Sequence, residues 1–398
     1  MDRLQANSRK YRAYLGRERI APVGYNFARR GEWMKKRTLF AILLAIMCAP
    51  ALLLAQSDRP RPSEFAHTFS IVARDPVTGQ MGAAVQSHWF SVGSIVTWAE
   101  AGVGAIATQS FVQPSYGRDG LDLMRKGLSA PDALQQLLKA DNSRNVRQVA
   151  FVDAQGNAAA WTGSNCVAAA GDIVGGKTNE SRKVEGAPQD GTIHVGQGYT
   201  VQANMMIDES IWPAMDKAFN ETRGDLADRL MAAMEAAQAA GGDARGRQSA
   251  AIVVVKAKPT GKAWDDRMFD LRVEDHAEPL KELRRVLNIA RAYNHMNAGD
   301  LAVEHKDNEA ALREYSAAAK LAQSIPGIDK SRVAEMNFWH AQALVQMGRV
   351  DDALPLFRTA FQLHPDWVVM VPRVQKSGLL PNDQKVIDRI LAQAPKKE

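Results

Sequence analysis

The chain has 398 residues, more than one ordinary compact domain needs, so two domains are the natural expectation. It is 46% hydrophobic and 24% charged, a globular composition that excludes a disordered or low-complexity protein. The net charge of +6 does not indicate nucleic-acid binding, because residues 1–55 carry 11 Lys/Arg against 3 Asp/Glu and leave the rest close to neutral.

The N-terminal part of the sequence has the pattern of an export signal. The positive segment MKKR precedes an apolar run that ends on the small residue Ala55, before polar sequence. We therefore predict a signal peptide at 34–55, a non-native or disordered extension at 1–33 and a linker at 56–66. The mature protein is then periplasmic or secreted and meets the membrane only through its signal peptide. An uncleaved single-span anchor is the alternative.

The segment after the leader mixes strand-like and helical patterns. TFSIVAR and MGAAVQS flank the turn DPVTG, and VGAIATQ, RQVAFVD and NAAAWTG predict further strands. Ser129 is placed to cap a helix that has Pro131 in its first turn. Residues 212–242 predict one long helix or two successive helices, and the later segments SAAIVVVK and RMFDLRV predict strands. Strands in early and late groups, with helices between them, favour a layered α+β domain over repeated βαβ units.

The remaining sequence is helical and carries small residues at repeat spacing. AEMNFWHAQALVQMGRVDDALPLFRTAFQLHP, with Ala353 and Ala360, has the pattern of a tetratricopeptide repeat, and an earlier unit repeats it around Ala311 and Ala318. Small residues allow two helices to cross closely. The pattern predicts an all-α domain of tetratricopeptide-like helical hairpins over residues 279–398, which we expect to contact a protein partner.

Two glycine-rich segments imitate nucleotide-binding motifs. GDIVGGKT, residues 171–178, fits G-x-x-x-x-G-K-T, but a phosphate loop needs a following helix whose N-terminus faces the phosphate, and no apolar helical face follows. GVGAIA, residues 102–107, resembles a dinucleotide fingerprint but precedes a strand-like run. We interpret the first as a glycine-rich surface loop and the second as tight strand packing. We predict no nucleotide, no nucleic acid, no cofactor and, because no His/Cys/carboxylate cluster has metal spacing, no metal.

The first domain resembles a known family over about residues 67–288. The stretches that carry the resemblance are TFSIVARDPVTGQMGAAVQS, WAEAGVGAIATQSFVQPSYGRDGLDLMRKGLS, QAN, GGDARGRQSAAIVVV and LRVEDHAEPLKELRRVL. They are similar to the Domain of Unknown Function 1028 family, which is placed in the N-terminal nucleophile (Ntn) hydrolase superfamily. The resemblance implies a four-layer αββα sandwich over residues 67–278 and, as a function, hydrolysis of an amide bond in a small-molecule or peptide substrate.

The resemblance also suggests which residues form a site. An Ntn hydrolase attacks with a Thr, Ser or Cys at the start of the mature chain, and the free α-amino group of that residue serves as general base. Thr68 begins the first predicted strand, and its exposure requires a cut after His67 in addition to signal removal. His88 stands where relatives tend to carry a lysine, and Asn204 is a candidate oxyanion donor.

We therefore assign two groups of candidate residues. The candidate catalytic residues are Thr68, His88 and Asn204. The candidate substrate-binding residues are Ser70, Gln109 and Gln202.

The same residue types leave other roles open. A buried, hydrogen-bonded asparagine is the alternative for Asn204, and Gln109 either lines a site or is simply hydrogen-bonded. For the whole protein, the alternative to a hydrolase is a catalytically inactive periplasmic protein that binds a ligand or a partner on the same fold.

Overall fold

The structure is a computed structural model. It describes four ranges of the chain: residues 65–66, 68–176, 180–186 and 191–395. The predicted extension 1–33 and signal peptide 34–55 lie outside the described residues, and of the predicted linker only Phe65–Ala66 is described.

Within these ranges the chain forms thirteen strands and ten helices. The strands are β1 (Phe65–Ala66), β2 (Thr68–Arg74), β3 (Met81–Ser87), β4 (Thr97–Glu100), β5 (Gly104–Phe111), β6 (Arg147–Asp153), β7 (Asn157–Thr162), β8 (Gly171–Val174), β9 (Glu180–Lys183), β10 (Thr192–Gln197), β11 (Tyr199–Ala203), β12 (Ser249–Val255) and β13 (Arg267–Val273). The helices are α1 (Ser115–Arg125), α2 (Ala130–Ala140), α3 (Ile211–Glu221), α4 (Leu226–Ala239), α5 (Pro279–Glu304), α6 (Asn308–Ser324), α7 (Lys330–Gln346), α8 (Val350–Leu363), α9 (Trp367–Lys376) and α10 (Gln384–Leu391).

The hairpin of β2 and β3 forms at the predicted turn. Asp75 Oδ1 accepts the backbone N–H groups of Val77 and Thr78 at 3.0 and 2.7 Å. Gly79 supplies a φ of +72°, which residues with a Cβ rarely adopt. The resulting register places Thr68 opposite Ser87.

The strands pair antiparallel in two sheets. The first sheet has the order β1–β5–β6–β7–β10–β9, with β4 also paired to β5, and the second has the order β13–β12–β3–β2–β11–β8. Strand β8 corrects an expectation, because Gly171–Val174 was predicted to be surface loop and instead forms an edge strand against β11. A Cβ at Gly171 would lie 2.6 Å from the Trp212 ring, so this glycine permits close packing of the strand. The next element in the described ranges is strand β9.

Three apolar clusters show how the sheets and helices pack in layers. Alanine and valine side chains of β2, β3, β5, β6, β7 and β12 fill the space between the two sheets. Helices α1 and α2 pack on the other face of the first sheet, around the fully buried Phe151 and Trp161. Helices α3, α4 and the start of α5 pack on the other face of the second sheet, around Phe69 and Ile71. The α+β class predicted from the sequence is confirmed.

Helices α5 to α10 form a C-terminal helical region. A Cβ at Gly299 of α5 would lie 2.8 Å from the Tyr315 ring of α6, so these helices pack closely only because this residue is glycine. The small residues on which the repeat prediction depends are all fully buried: Ala311, Ala318, Ala353 and Ala360. Among the described residues, no helix combines the length and the apolar character that a membrane crossing needs.

Helix α5 connects the sheets to the helical region. Its first turns bury Leu283 and Leu287 in the cluster on the second sheet. Its later turns bury Ala292 and Met296 among the helices that follow. Both regions accordingly belong to one compact unit.

Candidate functional site

Six amide and hydroxyl side chains fill one end of the space between the two sheets. We call them the polar cluster; all are fully buried, and they are Thr68 and Ser70 of β2, Gln109 of β5, Gln148 of β6, Gln202 of β11 and Asn204 just after it. A buried polar group without a hydrogen bond costs about 1–3 kcal/mol. Such a cluster is therefore tolerated only where its members pair with one another.

Ser70 joins the two sheets inside the cluster. Its Oγ donates to Gln109 Oε1 at 2.6 Å and accepts from Gln202 Nε2 at 2.6 Å. Gln202 Oε1 accepts from Thr200 Oγ1 at 2.9 Å. Because Ser70 and Gln202 pair across β2 and β11 of the second sheet, the bond to Gln109 is a side-chain link between the sheets.

Gln148 has the largest share of the cluster's hydrogen bonds. Its Oε1 accepts from Gln109 Nε2 at 2.7 Å and from Asn204 Nδ2 at 2.8 Å. Its Nε2 lies within hydrogen-bond distance of Thr162 Oγ1, at 2.9 Å, and of Ala203 O, at 2.9 Å. This amide therefore fixes the orientation of the two amides that face β2.

The backbone N–H and C=O groups of Thr68 are both hydrogen-bonded, whereas its side-chain hydroxyl is not. The Thr68 N–H donates to Asn204 O at 3.3 Å, and Thr68 O accepts from Asn204 N at 3.1 Å. Gln109 Nε2 also donates to Thr68 O, at 3.1 Å. Thr68 Oγ1, by contrast, is buried and has no hydrogen-bond partner among the described residues. An unpaired buried hydroxyl destabilises a fold, so this group calls for an explanation.

Two strained backbone positions adjoin the cluster. Ser110, directly after Gln109, has a φ of +69°, and Met205, directly after Asn204, has a φ of +58°. Residues with a Cβ rarely adopt this left-handed region, and such positions concentrate at functional sites. Both strained residues therefore lie at the same end of the inter-sheet space as the unpaired Thr68 hydroxyl.

The chain reaches Thr68 from the opposite sheet. Strand β1 pairs with the end of β5, with Phe65 opposite Phe111 and Ala66 opposite Ser110. Strand β2 lies in the second sheet. Ala66 therefore lies in the first sheet and Thr68 in the second.

The structure does not bring His88 into the polar cluster. Its side chain is exposed in the loop after β3, where a Cβ at Gly246 would lie 3.5 Å from its Nδ1. Only the His88 backbone takes part in a nearby buried contact, since its N–H donates to Asp243 Oδ2 at 3.1 Å.

Arg245 lies next to Ser87 in an ion pair with Asp243. Its Nε and Nη2 bind the two carboxylate oxygens of Asp243 at 3.0 and 2.6 Å. Its Nη2 also lies 3.4 Å from Ser87 Oγ. Because Ser87 is the strand partner of Thr68, the guanidinium lies one strand away from the candidate nucleophile.

A chain of hydrogen bonds leads from Gln148 to the surface. Thr162 Oγ1 donates to Asp172 Oδ2 at 2.5 Å, and Asp172 Oδ1 lies 2.6 Å from His194 Nδ1. The Asp172 side chain is 1% exposed, while that of His194 is 46% exposed. The hydrogen bond to Asp172 raises the pKa of His194 above its usual value.

Sequence reasoning missed several of these residues. Gln148 could have been recognised as a site residue from the sequence, because it is a polar residue inside a predicted strand. The sequence contains no comparable signal for Arg245, Asp172 or His194, because only the fold brings them close to Ser87 and Thr162. Among the described residues, no three His, Cys, Asp or Glu side chains come together as metal ligands would.

The fold and the cluster define an α+β protein with a buried polar site between two antiparallel sheets. The chain belongs to the family of unknown function DUF1028, whose model matches residues 68–181 and 183–283, more than half of the chain. This confirms the resemblance to the DUF1028 family. A crystal structure of protein SPO2555 from Silicibacter pomeroyi, also described as DUF1028, is similar at 29% identity over 56% of this chain and 88% of that chain, with a TM-score of 0.46. No curated protein matches the chain.

Proposed function

We propose that this protein is an exported hydrolase of the Ntn type, in which Thr68 becomes the nucleophile once the residues before it are removed. One observation carries the proposal: the Thr68 hydroxyl is buried without a hydrogen-bond partner among the described residues, beside amides that are paired. The order of helices, sheet, sheet and helices supports the αββα sandwich of that superfamily. The family match also begins at Thr68.

The chemistry follows from the position of the Thr68 nitrogen. A cut before Thr68 leaves an α-amino group where the peptide N–H now donates to Asn204 O at 3.3 Å. An α-amine has a pKa of about 7.7–8.0, so near neutral pH a useful fraction is free base. The amine takes the hydroxyl proton as Oγ1 attacks an amide carbonyl, and returns it to the leaving amine. Water then hydrolyses the acyl ester that remains on Thr68.

Two neighbouring groups support this chemistry. In this proposal the Arg245 guanidinium, whose charge is balanced by Asp243, holds Ser87 beside Thr68. Asn204 Nδ2 donates to Thr68 O at 3.4 Å, a long bond that it can exchange for a bond to the oxyanion. In this proposal Gln109, Gln202 and Ser70 orient the site through their mutual hydrogen bonds.

Removal of the residues before Thr68 also opens the site. Strand β1 pairs with Ser110 and Phe111 at the end of β5, so the cut uncovers this edge beside Thr68. An amide of a small molecule or a peptide then reaches the hydroxyl. The leader pattern supports export to the periplasm or outside the cell, and in this proposal the helical region, as tetratricopeptide-like hairpins, contacts a protein partner.

The test combines the mature N-terminus with a substitution series. The full chain is expressed with its leader, and the exported form is analysed by intact mass, which we expect to correspond to a start at Thr68. Hydrolysis is measured on a panel of N-acyl amino acids and peptide anilides. Thr68→Ser should keep measurable activity, and Thr68→Val should abolish it at an unchanged melting temperature. An active chain that keeps residues 56–67 and is indifferent to Thr68→Val would contradict the proposal.

A catalytically inactive binding protein is the second candidate. It is favoured by the complete burial of Thr68 and by the peptide bond that its nitrogen forms in this chain, which leaves no base. An exported protein that retains Phe65–Ala66 and hydrolyses no amide of the panel would support this alternative.

A further inference from the structure

Two stacked rings connect helices α5, α6 and α7 of the helical region. His340 of α7 lies against Tyr315 of α6, with the ring centroids 5.7 Å apart and the ring planes at 22° to each other. Tyr315 in turn packs on Gly299 of α5, and its hydroxyl donates to the carboxylate of Asp300 at 2.5 Å. The imidazole therefore belongs to a contact that involves three helices.

The imidazole of His340 is buried and one of its nitrogens is unpaired. The residue is 9% exposed, and its Nδ1 is buried without a hydrogen-bond partner among the described residues. Tyr315, on which it stacks, belongs to an apolar cluster that also contains Ala318 and Met336. Such surroundings suit a neutral imidazole, whereas an imidazolium needs an acceptor at each of its two nitrogens.

The charges near the ring also disfavour a cation. Among the described residues, the charged group that interacts electrostatically with His340 is Arg349, in the turn before α8. The Arg349 Nε donates to Asp352 Oδ2 at 2.7 Å, and on the other side Asp300 is bound by the Tyr315 hydroxyl. Burial, and to a lesser extent the Arg349 charge, lower the pKa of His340 from 6.5 to about 4.

We propose that His340 is an acid-sensitive switch of the helical region: a proton on its ring destabilises the packing of α6 against α7. The charged ring carries a donor at Nδ1 that has no acceptor among the described residues. Stacking on Tyr315 gains some cation–π attraction, but this attraction neither supplies that acceptor nor removes the repulsion from Arg349. Because an unpaired buried charge is costly, protonation favours states in which water reaches the ring. The switch does not depend on hydrolysis at Thr68.

The pH range of the switch follows from the direction of the shift. Because the pKa of His340 is lower in the fold than in the unfolded chain, the unfolded chain binds the proton more readily. The contribution to stability is therefore fully present above about pH 6.5 and is lost as the pH falls towards the folded pKa. At about pH 5 exposed Asp and Glu side chains are still mostly ionised, so the effect is separable from general acid unfolding.

The test compares urea unfolding of the full chain at about pH 7.5 and about pH 5. His340→Phe keeps an aromatic ring against Tyr315 but cannot take up a proton. The lower pH should therefore raise the unfolding equilibrium constant of the wild type about tenfold more, or beyond that, than it raises the constant of His340→Phe. His305→Phe, the same change at an exposed histidine after α5, should respond like the wild type.

A second variant keeps the proposal testable if His340→Phe fails to fold. Arg349→Gln removes the repelling charge and keeps the imidazole, so it should reduce the acid response without abolishing it, because burial is the larger cause of the lowered pKa. Asp352→Asn disrupts the same ion pair but keeps the Arg349 charge, so its response should be at least as large as that of the wild type. A response of His340→Phe equal to that of the wild type would overturn the proposal. If that variant does not fold, an unchanged response in Arg349→Gln would do the same.

Discussion

The space between the two sheets is apolar at one end and polar at the other, and strand β2 runs through both. Val72 lies in the apolar end, among alanine and valine side chains that need no partner. Ser70 and Thr68 point into the same space but lie in the polar cluster, and all three residues are fully buried. Apolar side chains would fill both ends without any pairing requirement. The polar end therefore carries a desolvation cost that its internal hydrogen bonds must offset, whereas the apolar end does not.

The largest effect should come from removing the amide that connects the cluster. Gln148→Leu leaves Gln109 and Asn204 without a shared acceptor, and we expect it to lower the free energy of unfolding by about 3 kcal/mol. Met81→Leu, a volume-conserving change in the apolar end of the same space, should cost less than about 1.5 kcal/mol. Urea unfolding measures both. Similar losses in the two variants would show that the polar end is packed like the apolar one.

Two hydroxyls of β2 should differ in their effect on stability. Ser70→Ala removes the hydrogen-bond partner that Gln109 Oε1 and Gln202 Nε2 share among the described residues, so it should cost about 1–3 kcal/mol. Thr68→Val replaces an unpaired hydroxyl by a methyl group of the same shape, and should leave stability unchanged or slightly raised. Thermal unfolding of the two variants side by side measures the difference. A loss on Thr68→Val equal to that of Ser70→Ala would mean that the Thr68 hydroxyl is paired in solution.

The smallest expected effect is a pH dependence of stability. It comes from His194, the residue at the surface end of the hydrogen-bond chain. Because the pKa of His194 is raised in the fold by Asp172, its contribution to stability is fully present below the unfolded pKa of about 6.5 and is lost as the pH rises through the folded pKa. The melting temperature of the wild type should therefore exceed that of His194→Gln at pH 5.5 by more than it does at pH 9. The effect is small because the His194 side chain is 46% exposed. A difference that is constant over this range would exclude a charged His194–Asp172 pair.

Local patterns predicted the elements of this fold well. The turn at Asp75 and the cap at Ser129 depend on side chains bonding to nearby backbone, so a few residues suffice to recognise them; Ser129 Oγ accepts from Asp132 N at 3.3 Å as expected. The segment at Gly171 was misjudged, because its strand is stabilised by pairing with β11 and by Trp212 rather than by its own residues. Non-local pairing of that kind leaves little trace in a short window of sequence.

The residues of the candidate site were likewise predicted only in part. Thr68, Ser70, Gln109, Gln202 and Asn204 are brought together as one cluster, because strand alternation and the family resemblance both constrain them. His88 was assigned from the family resemblance at a position after β3, and the structure leaves its side chain exposed in that loop. The cation that lies near Ser87 is Arg245, more than 150 residues further along the chain. A contact between such distant loops is visible only when the strands are paired in space.

Helix α5 has a consequence for how the protein unfolds. The 26 residues from Pro279 to Glu304 extend about 39 Å, and they contribute buried side chains to the sheet cluster at one end and to the helical cluster at the other. Fraying of either half would expose apolar surface in both regions at once. The sandwich and the helical region are therefore thermodynamically coupled, and they should lose structure in one cooperative transition rather than as two independent melting units.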